Sequence, residues 1–138
     1  MLHEGTTDSI HLSTTIPATP HAIYEAWLSS AGHSAISGGK AETSAKVGAA
    51  FTAWGGYIQG QNVELEADRR IVQRWRTKDF PADAPDSHLE ITLTAVPEGT
   101  RLDLTHREIP SGQGVRYHGG WQERYFTPMA AHFARAAT

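Results

Sequence analysis

The sequence predicts an α+β fold in which a curved antiparallel sheet wraps around one long C-terminal helix. From residue 51 to residue 109, most segments alternate apolar and polar side chains and are separated by short turns, which is typical of antiparallel strands. After Pro110 the period changes, and apolar residues recur at every fourth position over about twenty residues, as in an amphipathic helix. Because both elements must bury an apolar face, we expect them to pack as two layers.

The N-terminal third predicts one strand followed by a short helix. We expect a flexible N-terminus over residues 1–8 and a single domain over residues 9–138. Residues 9–17 (SIHLSTTIP) alternate in polarity, which predicts a half-buried strand. Thr19 and Pro20 then occupy the N-cap and first positions of a predicted helix. Residues 29–50 are small, polar and rich in glycine, and they predict a loop or short helix leading into an edge strand.

Two hairpins are predicted next. In the first, residues 61–66 (QNVELE) and 71–76 (IVQRWR) flank a turn, and Glu64 is expected opposite Arg74 so that Val63 and Leu65 share the inward face with Trp75. In the second, the turn VPEG at 96–99 has Pro and Gly where a type I turn favours them. The predicted inward pairs of the second hairpin are Leu89 with His106, Ile91 with Leu104, and Leu93 with Leu102.

The C-terminal helix is predicted to bury one apolar stripe against the sheet. Pro128 lies inside this helix and has no N–H, so it should bend or open the turn near Arg124. One helix cannot fill the whole concave face of a curved sheet, and we therefore expect a cavity at one end. The stripe consists of Tyr117, Trp121, Tyr125, Met129 and Phe133.

Composition excludes several classes of partner. The 138 residues carry a formal net charge of −3, so there is no excess of basic residues for binding nucleic acid or an anionic membrane. The absence of cysteine excludes disulfides and thiolate chemistry, and no run of apolar residues is long enough to cross a bilayer. We expect a soluble, cytoplasmic protein that has no nucleic-acid or membrane partner.

Three segments resemble a known family. They are AWGGYIQGQNVELEADRRIVQRWR at 53–76, HLEITLTAVPEGTRLDLTH at 88–106 and GWQERYFTPMAAHF at 120–133. Together they resemble the C-terminal-type domain of the activator of heat-shock protein 90 (Hsp90) ATPase family, in the START and birch-allergen-like (SRPBCC) superfamily. The resemblance covers the chain from about Ser9 to Phe133. It implies a helix-grip fold with the order β-α-α-β6-α and a cavity between the sheet and the last helix.

Aromatic residues and one histidine are the candidate ligand-binding residues. Aromatic rings supply a large contact area together with a polar edge, although each of them is also a natural core residue. His106 continues the inward alternation of Leu102 and Leu104, and histidine can change its charge near neutral pH. The candidates are Trp27, Phe51, Trp54, Trp75, His106, Tyr117, Trp121 and Tyr125.

No catalytic, metal or cofactor site is predicted. The eight histidines form no H-x-H or H-E-x-x-H arrangement. The segment SGGK at 37–40 lacks the first glycine of a phosphate loop, and Ala41 stands where that loop has Ser or Thr. Glu108 beside His106 is the one candidate acid-base pair, and it leaves open an enzyme such as a cyclase or hydrolase.

The sequence therefore leaves three functional hypotheses. The first is a non-enzymatic binding module that holds a small apolar or aromatic ligand between the sheet and the C-terminal helix. The alternative, from the resemblance and from a basic row of Arg74, Arg76 and Lys78, is a stress-response protein that binds the chaperone Hsp90 and modulates its ATPase. The second alternative is the small-molecule enzyme. An exposed edge strand near residues 40–47 is compatible with either a monomer or a homodimer.

Overall fold

The computed structural model describes residues 7–136, which form a sheet, two short helices and an interrupted C-terminal helix. A 3₁₀ turn covers Trp54–Gly56, and a π-helical segment covers Gln122–Phe126. The strands are β1 (Thr7–Ile16), β2 (Ala50–Ala53), β3 (Ile58–Glu66), β4 (Arg70–Thr77), β5 (Ser87–Val96) and β6 (Gly99–Pro110), and the helices are α1 (Pro20–Trp27), α2 (Ser30–Ser37), α3 (Gly114–Trp121) and α4 (Thr127–Ala136).

Within residues 7–136, six strands form one antiparallel sheet in the order β1-β6-β5-β4-β3-β2. The predicted α+β class and helix-grip architecture are confirmed. The strand count differs from the expected order, because five strands rather than six follow α2 in the described part of the chain. Between α2 and β2, a single isolated bridge joins Glu42 to Thr52. Gly38 and Gly48 have left-handed φ values of 88° and 89° there, which interrupt an extended strand.

Local capping explains where the two short helices begin. The Thr19 hydroxyl accepts a hydrogen bond from the Ala22 N–H at 3.1 Å, and Pro20 takes the first helical position as predicted. Ser29 caps α2 in the same way by accepting from the Gly32 N–H at 2.8 Å. The segment predicted as a loop or short helix therefore contains a helix of two turns.

The first predicted hairpin forms, but its register was predicted wrongly. Glu64 lies opposite Val72 rather than Arg74, because the hairpin closes at the Glu66–Arg70 pair, two residues earlier along β4 than the prediction required. A β-bulge then falls at Val63 and leaves that side chain 37% exposed. Asn62 explains the bulge. Its amide points inward, donates to the carbonyls of residues 44 and 46, and accepts from Gln73 Nε2 at 2.8 Å. A buried amide needs these partners, and the additional residue returns Leu65 to the inward face.

The second hairpin has the predicted register. Leu89 lies opposite His106, Ile91 opposite Leu104, and Leu93 opposite Leu102. All six side chains are buried, so this hairpin supplies the centre of the core.

The C-terminal helix buries the predicted stripe from Tyr117 to Met129, with Phe133 partly buried. In an α-helix, residues that are four positions apart differ by about 40° in their direction around the helix axis. Over several such intervals, a continuous α-helix would therefore turn the stripe away from the sheet. The π-helical segment corrects this by placing one additional residue in a turn. It lies immediately before Pro128, whose missing N–H frees a carbonyl in that turn, and the predicted opening near Arg124 is confirmed.

The start of β1 is fixed to the start of α3. The carboxylate of Asp8 accepts hydrogen bonds from the backbone N–H groups of Gly112 and Gly114 at 2.9 and 2.8 Å. β1 therefore begins at Thr7, before the end of the segment 1–8 that was expected to be flexible. The other residues of that segment lie outside the described part of the chain.

Candidate ligand-binding cavity

A cavity of about 550 Å³ opens between the sheet and the C-terminal helix. Its walls come from the turn after β2, the start of β3, the end of β4, α3 and the π-helical segment. Several of these side chains are exposed, so the cavity has an open side. The lining residues are Trp54, Tyr57, Ile58, Trp75, Arg116, Tyr117, Gly119, Gly120, Trp121, Glu123, Arg124 and Tyr125.

The structure divides the candidate residues into two groups. Trp54, Trp75, Tyr117, Trp121 and Tyr125 line the cavity. The remaining candidates, Trp27, Phe51 and His106, are buried in the core and do not contribute to its wall.

His106 is held in a closed hydrogen-bond network behind the cavity wall. Its Nδ1 accepts from the Trp121 indole N–H at 3.1 Å, so its proton lies on Nε2, which contacts the Ser87 hydroxyl at 2.7 Å. Ser87 in turn donates to the Trp75 carbonyl at 2.6 Å. Burial lowers the pKa of His106 to about 3, because the charged ring would lose its hydration. The ring therefore acts as a neutral support that orients Trp121.

A second network fixes Tyr125, and it depends on His33, a residue that the sequence did not single out. The Trp27 carbonyl can only accept, so the His33 Nδ1–H donates to it at 2.9 Å, and Nε2 accepts from the Tyr125 hydroxyl at 2.9 Å. Burial lowers the pKa of His33 and raises the pKa of Tyr125. His33 lies in a small, polar segment without a clear period, and no local pattern points to it.

The inner wall of the cavity is a connected set of aromatic rings. The centroid of Trp121 lies 5.5 Å from Trp75 and 4.9 Å from Tyr125, and Trp75 meets Tyr117 edge-on at 5.1 Å. Such tilted and edge contacts are the favoured aromatic geometries. Because both histidine networks also hold these rings, we expect the wall to keep its shape when the cavity is empty.

The outer wall is a tight turn that carries Trp54. Trp54, Gly55 and Gly56 have successive φ values of 52°, 67° and 99°, all in the left-handed region that a tryptophan seldom adopts. The indole packs on Gly39, where a Cβ would come within 2.4 Å of its Cε3 atom. The guanidinium of Arg124 stacks over the ring, 5.3 Å from its centroid. Among the described residues, the buried Trp54 Nε1 makes no hydrogen bond of normal geometry, but it lies close enough to the Tyr125 hydroxyl to oppose the rise in the pKa of that group.

Asp79 links the two sides of the cavity mouth. Its carboxylate accepts from the Tyr57 hydroxyl at 2.5 Å and from Arg116 at 2.8 Å, while its carbonyl accepts from Gln113 at 3.0 Å. This cluster joins the Trp54 turn to α3. The sequence did not reveal Tyr57, Arg116 or Arg124 as site residues, since they come together only when three separate elements meet.

The arrangement does not form the candidate acid-base pair. Both ring nitrogens of His106 are engaged by Trp121 and Ser87, and the side chain of Glu108 is exposed. No three His, Asp or Glu side chains within residues 7–136 are grouped so that they could hold a metal ion. In the same part of the chain, no helix is long and apolar enough to cross a membrane.

A model of the family described as "Activator of Hsp90 ATPase homolog 1-like protein" matches residues 17–134. The chain belongs to this family. It is 28% identical over 134 residues to activator of 90 kDa heat shock protein ATPase homolog 1 from Homo sapiens, a match covering 95% of this chain and 38% of the human protein. It is 29% identical over 144 residues to Hsp90 co-chaperone AHA1 from Saccharomyces cerevisiae, covering 96% and 39% respectively. The chain thus spans less than half the length of these relatives.

Solved structures share the fold of this chain. An HSP90 activator from Plasmodium falciparum superposes with a TM-score of 0.83 at 24% identity, covering 91% of this chain and 96% of the other. An Aha1 dimer from Colwellia psychrerythraea gives a TM-score of 0.69 at 16% identity, covering 94% and 93%. At these identities the likeness shows a common helix-grip architecture.

Proposed function

We propose that this protein binds an Hsp90 chaperone in the cytoplasm and modulates its ATPase activity. The observation that carries this proposal is the family match over residues 17–134, shared with relatives named as Hsp90 activators and co-chaperones. The chain covers only 38–39% of the human and yeast relatives, so the proposal concerns what one helix-grip unit supplies. That unit must present a surface to the chaperone.

The outer face of the sheet offers such a surface. Arg74 on β4 lies opposite His88 on β5, which lies opposite Arg107 on β6, so the three side chains form a row across the sheet. Neither arginine of this row makes an ion pair within the described part of the chain. A row of uncompensated positive charge suits an acidic surface on the partner.

In the folded protein, Arg76 is not part of the basic row that the sequence predicts. Arg76 was grouped with Arg74 and Lys78, but its guanidinium is engaged by Asp86 at 2.9 Å and by the carbonyls of Pro81 and Ala84. It organises the loop between β4 and β5 and is not available to a partner. The proposed docking row therefore runs across the strands through Arg74, His88 and Arg107.

The test is an ATPase and binding assay with the Hsp90 of the organism that encodes this chain. We expect a saturable change in ATP turnover, and a charge reversal at both Arg74 and Arg107 should weaken binding about tenfold or more, with loss of its salt dependence. Lys46→Glu, which reverses one exposed charge outside the row, is the control for each of the two single reversals. Unchanged ATP turnover at saturating protein would overturn the proposal.

A second function is favoured by the cavity itself. We propose that it holds a small apolar or aromatic molecule, because a volume of about 550 Å³ with an aromatic wall matches the size and chemistry of ordinary ligand sites. Gly119 and Gly120 line it from α3, and a Cβ at either position would meet no atom within 4 Å. A Cβ added at Gly120 therefore meets no steric obstacle, and we expect a larger side chain there to extend into the cavity.

This proposal can be tested by a thermal-shift and native mass-spectrometry screen of lipids and aromatic metabolites. A stabilising compound is expected for the parent protein, and Gly120→Leu should abolish its binding while the variant stays folded, since glycine is a poor residue inside a helix. Val115→Leu, on the exposed side of the same helix, is the matched control. The proposal fails if no compound binds, or if Gly120→Leu leaves the binding intact.

A further inference from the structure

Charge at the cavity rim points to the class of ligand, an inference that rests on the proposed ligand-binding function. Two arginines and one glutamate line the cavity. Arg116 is neutralised by Asp79, with the two atoms 2.8 Å apart. Arg124 makes no ion pair anywhere in residues 7–136, so its guanidinium is the one at the rim that is not already bound to a carboxylate.

The stacking of Arg124 on Trp54 prepares it for an anion. The guanidinium carbon lies 5.3 Å from the centre of the indole ring, which holds the side chain in place over the cavity wall. A stacked guanidinium keeps the N–H donors at its edge free, and those donors match both oxygens of a carboxylate. Much of the entropy of ordering a long side chain is then lost before the ligand arrives.

Trp54 supplies the surface on which Arg124 rests and does not itself add a donor for the ligand. Its Nε1–H is shielded from solvent and lies near the Tyr125 hydroxyl, so a ligand oxygen does not reach it. The aromatic wall of Trp75, Trp121 and Tyr125 then receives the apolar part of the same molecule.

We propose that the cavity selects aromatic carboxylates, with the ring against Trp75 and Trp121 and the carboxylate held by the guanidinium of Arg124. Glu123 is the lining residue that opposes such an anion. It is exposed and makes no ion pair in the described part of the chain, so its repulsion weakens the binding of an anion and leaves that of a neutral analogue unchanged.

The test compares 2-naphthoate with 2-naphthamide, which have the same ring and nearly the same shape, by isothermal titration calorimetry. We expect naphthoate to bind about tenfold more tightly at low salt, and this preference should shrink as salt is raised. Arg124→Gln should weaken naphthoate binding by roughly three- to tenfold and leave naphthamide unchanged. Glu123→Gln should strengthen naphthoate binding. Arg69→Gln removes an equal charge at the β3–β4 turn and should change neither affinity.

The outcomes separate this inference from the proposed cavity function. Equal affinity for the two compounds, or an Arg124→Gln variant that keeps the full preference, overturns the anion selection while the cavity remains a ligand site. Failure of both compounds to bind also overturns the inference, and the cavity function then stands or falls on the broad screen. Naphthoate binding that survives Gly120→Leu places the ligand outside the cavity and contradicts both.

Discussion

The buried histidine behind the cavity makes a quantitative prediction about pH. Replacing His106 by glutamine should remove part of the acid sensitivity of folding. In the folded protein its pKa is lowered to about 3 by burial, whereas the ordinary value is 6.5. Between these two pH values the folded chain keeps the ring neutral while the unfolded chain binds a proton. The contribution of the neutral His106 ring to the free energy of unfolding is therefore complete above pH 6.5, and it is lost as the pH falls toward 3.

The size of this effect follows from the same two values. Each pH unit between them costs about 1.4 kcal/mol in the free energy of unfolding. At pH 5, about 1.5 units below the ordinary pKa, the loss attributable to His106 is about 2 kcal/mol. The burial of His33 acts in the same direction, so the comparison must be between the parent and a variant that changes one ring alone.

Urea unfolding at pH 7.5 and pH 5.0 measures the difference. His106→Gln should be less stable than the parent at pH 7.5, because an amide cannot reproduce both the Trp121 and the Ser87 bond. From pH 7.5 to pH 5.0, however, it should lose about 2 kcal/mol less than the parent does. His118→Gln, at an exposed position on α3, should keep the acid sensitivity of the parent. An equal loss in the parent and in His106→Gln would refute the reasoning.

Three further predictions concern packing around the cavity. Gly60→Ala should destabilise the protein by about 3 kcal/mol or more in urea unfolding, because its Cβ would come 1.9 Å from the Arg74 carbonyl. A loss no larger than that for adding a methyl group at an exposed position would contradict the register. Gly39→Ala should displace Trp54, where the contact would be 2.4 Å, and change tryptophan fluorescence and ligand affinity with little change in fold. Tyr117→Phe should cost about 1 to 2 kcal/mol in thermal unfolding, since its hydroxyl bonds to Thr77 at 2.6 Å; an unchanged melting temperature would count against that bond.

The two hairpins show what the sequence could and could not predict about the fold. The second hairpin alternates strictly and has a turn with its own chemistry, so Leu89 and His106 were paired from the sequence alone. The first hairpin alternates too, but Asn62 finds its partners in a loop that is distant in sequence, and this tertiary demand inserts the bulge at Val63. Local alternation contains no information about such a partner.

The cavity, like the hairpins, was only partly predictable from the sequence. Its aromatic wall was predictable because Tyr117, Trp121 and Tyr125 follow a helical period. Its charged rim was not, because Arg124 acquires its place from a turn that packs against it only in the folded chain. His106 was correctly placed on the inward face, yet the depth at which a strand position lies depends on the curvature of the sheet, which alternation does not encode.

Because of the π-helical segment, the parts of the C-terminal helix before and after it are rotated relative to each other about the helix axis. Residues before it present Tyr117 and Trp121 to the cavity, and residues after it present Met129 to the core. Deleting one residue from 122–126 would allow a continuous α-helix, which by local geometry is the easier conformation. It would also rotate one half by about 100° relative to the other, so either the cavity wall or the core contact would turn toward solvent. The additional residue is therefore what allows one helix to close the core and line the cavity at the same time.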